Sequence, residues 1–166
     1  MTTYTARPIA PAALAELRSV DDAGQPCVPF TAAEGGDPLR CCLRPVAAGE
    51  RVALVSYAPL RRWAATTGVR PGAYDEQGPV FIHAEECEGP VPGAESYPFD
   101  RPGALRTLRR YDAEGRIVGG RLLEIPAEAT EGFDKALGEA FDDTRVALVH
   151  IRAVEYGCFQ FEVRRS

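Results

Sequence analysis

Seven short runs of the chain carry the apolar and β-branched pattern of strands, each ending in turn residues. They are Arg40–Arg44, Arg51–Tyr57, Gly78–His83, Leu105–Tyr111, Arg116–Ile125, Arg145–Arg152 and Gly157–Arg164. Ala48-Gly49 predicts a hairpin between the first two runs, and Asp112-Ala-Glu-Gly115 predicts one between the fourth and fifth. The last two form a terminal hairpin. Two stretches have helical spacing. Pro11–Arg18 places Pro11 in a first turn with Leu14 and Leu17 behind it. Ala127–Phe141 sets Phe133, Leu137 and Phe141 on one face, although Gly132 and Gly138 weaken it. Residues 58–77 and 85–104 read as long loops, of the kind that serve as lids or mobile binding segments. The pattern predicts an α+β fold over 1–166, a single compact domain with one antiparallel sheet of about seven short strands and two helices.

Composition narrows the function classes. The 166 residues are 45% hydrophobic and 26% charged, as in ordinary globular proteins. The net charge of −5 offers no general basic field, so no nucleic-acid partner is expected. No apolar run approaches the ~20 residues that cross a bilayer, and the first residues do not read as a signal peptide. Five cysteines make an odd number without the density of a disulfide scaffold, which points to reduced thiols in a cytoplasm.

Chemistry concentrates around the only two histidines. His83 and His150 each come late in a strand-like run, and Cys87 and Cys158 follow them. Alternation puts Val146, Leu148, His150 and Arg152 on one strand face, and Cys158, Gln160 and Glu162 on one face of the next. A pocket where the sheet opens into its loops would then collect His83, Cys87, His150, Arg152 and Cys158. Three uses are open. The set His83, Cys87, His150 and Cys158 supplies the nitrogens and sulfurs of a tetrahedral zinc or iron site, although no Cys-x-x-Cys occurs; haem ligation through one histidine is a smaller alternative. Cys87 beside an imidazole could act as a nucleophile, but Glu85, Glu86 and Glu88 would raise its pKa. Arginine forks match carboxylate and phosphate. Of Arg40, Arg106, Arg109, Arg110, Arg116, Arg121 and Arg152, most read as solvated surface, and Arg152 stands out by sharing the face of His150. Cys41 and Cys42, adjacent on a strand, would face opposite sides as structural thiols.

Several segments carry a resemblance: Pro38-Leu-Arg-Cys-Cys-Leu-Arg44, Gly49-Glu-Arg-Val-Ala-Leu-Val-Ser-Tyr57, Tyr74, Gly78-Pro-Val-Phe-Ile-His83 with Cys87, Leu105-Arg-Thr-Leu-Arg-Arg-Tyr-Asp112, and Val149-His150-Ile-Arg152 with Gly157-Cys158-Phe159. From about residue 25 to the C-terminus these resemble the bacterial domain-of-unknown-function family numbered 1203. The resemblance implies a complete single-domain protein and no mechanism. The residues themselves predict binding of a small anionic or carbonyl-bearing metabolite. His83 and His150 would be acid–base groups, Arg152 and Arg40 anchors, and Tyr74 a donor from the lid side. The alternatives are the metal or haem protein just described and a non-catalytic interaction domain that forms a homodimer through an exposed strand edge.

Overall fold

The computed structural model describes residues 1–166 and is α+β. The elements in chain order are α1 (Pro11–Leu17), β1 (Phe30–Thr31), β2 (Arg51–Tyr57), α2 (Pro59–Thr67), a 3₁₀ turn at Gly72–Tyr74, β3 (Gly78–His83), β4 (Leu105–Asp112), β5 (Ile117–Glu124), α3 (Ala129–Asp142), β6 (Val146–Ala153) and β7 (Phe159–Arg164). The strands form two antiparallel sheets rather than the single sheet expected: β1-β2-β3 and β5-β4-β6-β7.

Two further expectations change. There are three α-helices, because residues 59–67, expected as loop, form α2. Pro59 starts this helix, Leu60, Trp63 and Ala64 bury one face, and Gly68 at φ 77° ends it in a left-handed cap. The segment Arg40–Arg44 is a turn and not a strand, and the short β1 completes the count of seven. Residues 85–104 contain neither helix nor strand.

Strand β6 lies between β4 and β7, and residues 148–151 are buried on both faces. One face of its sheet packs on α3, where Phe133 and Leu137 meet Leu108, Val149, Ile151, Phe161 and Val163. Each large apolar side chain so buried contributes about 1.5–3 kcal/mol. Arg165 closes the C-terminal end of α3 by donating to the carbonyls of Phe141 and Asp143 at 2.8 and 2.7 Å. The other face meets Leu60 and Trp63 of α2 through Tyr111 and Leu148. A separate core joins α1 to the three-stranded sheet: Leu14 and Leu17 pack with Val52, Val55, Val80 and Ile82, and Cys41 and Cys42 belong to it.

Strict alternation fails at one point in the terminal hairpin. Ile151 pairs with Phe161 but Arg152 pairs with Phe159, so β7 carries one extra residue there. Phe159 therefore turns to the face of His150, with ring centroids 5.2 Å apart, and Cys158 lies beyond the end of the strand.

Candidate functional site

Strand β3 ends at His83, and its register against β2 is unbroken from Tyr57–Gly78 to Val52–His83. This rigid pair delivers the imidazole to the turn Cys41–Arg44. Strand β3 also holds that turn directly, since the Arg40 N–H donates to the Phe81 carbonyl at 2.9 Å. Leu43, with φ 58°, takes a left-handed conformation that costs a side-chain-bearing residue roughly 1 kcal/mol or more. In a strand, Cys41 and Cys42 would point apart; in this turn their sulfurs lie 4.0 Å from each other.

Both sulfurs face His83. Its Nδ1 is 3.3 Å from Cys41 Sγ and 3.9 Å from Cys42 Sγ. Cys87, four residues further along, folds back to the same place. The four donor atoms of Cys41, Cys42, His83 and Cys87 all lie within 4.8 Å of one another. Tetrahedral zinc, with Zn–S about 2.3 Å and Zn–N about 2.0–2.1 Å, would set its ligand atoms roughly 3.5–3.8 Å apart, so the observed spacing accommodates one ion. An iron–sulfur cluster, with several irons and bridging sulfides between its ligands, needs more room.

The surroundings treat the two adjacent thiols oppositely, favouring a deprotonated Cys42 beside a protonated Cys41. The His83 N–H points at Cys41 Sγ at 3.2 Å. Hydrogen bonding from the Cys41 thiol, together with the Arg44 N–H, pulls the Cys42 thiol down to about 6 despite burial. That donation and burial push Cys41 up.

Glu50 fixes the other side of the imidazole. Its Oε1 is 3.1 Å from His83 Nε2 and Arg44 Nη2 is 3.3 Å from the same nitrogen; the tautomer in which Nε2–H donates to Glu50 turns the Nδ1 lone pair to the sulfurs. Glu50 is itself held by Arg44 at 2.6 and 3.1 Å and by the Ala47 N–H at 2.7 Å. The Arg44 guanidinium, joined by the Ala47 N–H, keeps its carboxyl down at about 2. A carboxylate behind a histidine is the usual outer support of a metal-bound imidazole.

Cys42, His83, Cys87, Arg44 and Glu50 line a hollow of about 1220 Å³; Cys41 lies behind its wall. The far side comes from residues near the N-terminus and from residues 85–100. Phe99, at φ 56° the other non-glycine residue with positive φ, lines it too, and both it and Leu43 pack on the core beneath α3. Tyr97 anchors this loop: its hydroxyl donates to Asp134 of α3 at 2.6 Å and accepts from the Tyr4 N–H at 3.1 Å.

Of the residues read from the sequence as catalytic, anchoring or metal-binding, the hollow gathers His83 and Cys87 and none of His150, Arg152, Arg40, Tyr74 or Cys158. His150 is fully buried between Tyr111 and Phe159, and its Nε2 lies 2.9 Å from Glu162 Oε2. Burial holds its pKa below 6.5, and Nδ1 has no partner, so the ring is neutral and donates from Nε2. Arg152 lies beside Arg109 near Glu76. Arg40 is buried and donates to the carbonyls of Phe159 and Pro38. Tyr74 is exposed on the 3₁₀ turn, and Cys158 sits half-buried in the β6–β7 turn. The two histidines therefore occupy different environments and do not share a pocket. Sequence reading missed Cys41, Cys42 and Glu50 as neighbours of His83; adjacency of two cysteines was the only local signal.

A family whose description reads protein of unknown function (DUF1203) matches the chain over residues 36–165. That span includes all four sulfur and imidazole donors as well as Glu50. No curated protein and no solved structure matches the chain.

Proposed function

This chain belongs to the DUF1203 family, and we propose that it is a metal-binding protein. Cys41, Cys42, Cys87 and His83 would hold one zinc-like ion in the wall of a hollow that receives a small molecule. One observation carries the reading: three thiols and an imidazole from two segments some forty residues apart converge within 4.8 Å. A Cys₃His set is typical of zinc, and thiolates disfavour magnesium or calcium. The Glu50–His83 contact supports it, because it presents the correct nitrogen to the sulfurs.

Four protein ligands close a tetrahedral sphere, as structural ions require. The ion would tie the 41–44 turn, the end of β3 and the start of the 85–104 loop into one rigid wall. His83 serves as a ligand on this reading, and His150 as a core residue satisfied by Glu162. The wall of the hollow is acidic: Arg44 and Arg51 are paired with Glu50 and Glu85, and Glu86, Glu88 and Asp100 add further negative charge, so its ligand is read as a small carbonyl-bearing molecule rather than an anion.

Protein purified under reducing conditions should carry one zinc per chain by elemental analysis. Cobalt exchanged into it should give tetrahedral d–d bands and thiolate-to-cobalt charge transfer. Cys42→Ser and Cys87→Ser should weaken or abolish both signals. A chain that takes up neither metal, or whose cobalt spectrum survives in these variants, overturns the reading.

A further inference from the structure

We propose a second, separate site: Arg109 and Arg152 form an oxyanion-binding pair, covered in this structure by Glu76, that accepts a phosphate- or carboxylate-bearing small molecule in its place. The register of β4 and β6 sets Arg109 opposite His150 and Arg152 opposite Thr107, so the two guanidiniums are diagonal neighbours on one sheet face. Both approach a single carboxylate oxygen. Glu76 Oε2 is 2.7 Å from Arg109 Nη1 and 3.5 Å from Arg152 Nη2.

The charges do not balance. Arg152 is 12% exposed; its Nη1 donates to the Gly157 carbonyl, and its Nε has no partner. Burial and then repulsion from Arg109 destabilise its charged form. Arg62, by comparison, has two carboxylates to itself, Asp22 and Glu16, while the deeply buried Arg40 donates to backbone carbonyls alone. Here two cations share one carboxylate and the Tyr111 hydroxyl, and like charges withdrawn from water are costly unless fully paired. A phosphate dianion or a carboxylate-rich ligand would supply what Glu76 does not, and the guanidinium forks suit either.

Glu76 is placed to give way. Its side chain is 48% exposed. Its neighbours Asp75 and Gln77 both hold Arg61, at 2.9 and 3.3 Å. The backbone is thus tethered from the other side, and a side-chain rotation alone would uncover the pair.

The test is titration of the wild-type and Glu76→Gln chains with inorganic phosphate and, separately, succinate, by calorimetry at low salt. A site covered by its own carboxylate loses affinity in proportion to the fraction covered, so E76Q should bind about tenfold tighter than wild type. Arg109→Met and Arg152→Met should each abolish the gain in an E76Q background; Arg109 is the more exposed and the safer for folding. Binding of phosphate alone, of succinate alone or of both would each support the site and identify its chemistry. An E76Q chain that binds neither anion, or whose binding survives both arginine substitutions, overturns the proposal and leaves Glu76 as a structural counter-ion. Neither result depends on the thiolate site.

Discussion

Replacing Glu50 by glutamine separates a metal support from an ordinary surface ion pair. The carboxylate accepts from Arg44, from the Ala47 N–H and from His83 Nε2. Glutamine keeps the shape and one acceptor oxygen but loses the charge. Without metal, the loss is that of a partly exposed Arg–Glu pair, about 0–1 kcal/mol. With metal, an outer-shell carboxylate that orients a ligating histidine is worth about 10–100-fold in affinity. At 1.4 kcal/mol per decade this is about 1.4–2.8 kcal/mol. At fixed free zinc well above both dissociation constants, that converts to a melting temperature lower by about 3–11 °C for a chain of this size.

The assay has two arms. Competition against a chromophoric chelator gives the zinc affinity, and thermal melts with and without excess chelator give the stability of each form. The reasoning requires a much larger effect in the zinc-loaded arm than in the stripped arm. Equal zinc affinity in E50Q and wild type, with the whole loss appearing in stripped protein, would refute it. Glu50 would then only pin the 44–50 turn.

Two other outcomes follow from the packing. The neutral, buried His150 makes stability fall with acid: its folded pKa lies below 6.5, so the unfolded chain takes the proton first and stability is lost as pH falls through about 6.5. Glu162 adds a further loss as pH falls below about 4.5, because His150 and Arg164 outweigh burial and hold its carboxyl down. His150→Phe in chelator-stripped protein should flatten the pH 5–6.5 slope of denaturant-derived stability, and an unchanged slope would show that His150 is not its source. Gly132→Ala should lower the melting temperature although alanine is the better helix former by about 1 kcal/mol. A Cβ there would stand 2.5 Å from the Pro126 ring carbons, where overpacking costs about 1–3 kcal/mol. A raised melting temperature would contradict that contact.

The parts of this molecule visible in its sequence are those whose pattern is local. Strand β3 and helix α3 follow from a period of two and from Phe133, Leu137 and Phe141, and the observed bounds differ from the expected ones by two residues at most. Helix α2 carried the same kind of signal in Pro59, Leu60, Trp63 and Ala64, but its nine residues between turn-forming neighbours read as loop. The environment of His150 depended on a one-residue bulge in β7, which no local pattern announces, and the bulge brought Phe159 rather than Cys158 to its face. The thiolate site depended on more. A strand reading of Arg40–Arg44 sends Cys41 and Cys42 to opposite faces, whereas Leu43 in a left-handed turn brings them together. That turn is held by tertiary contacts: the Arg40 N–H on the Phe81 carbonyl, the His83 N–H on Cys41, and Arg44 on Glu50. A zinc finger announces itself because its ligands lie in close pairs on a local turn. Here the close pair is adjacent rather than spaced, and its partners arrive from the end of β3 and the loop after it. The ligand set therefore emerges only once β3 and the 41–44 turn are docked, and a variant that strains this turn, such as Leu43→Val with a β-branched residue at φ 58°, should lower the zinc affinity measured by chelator competition without touching a ligand.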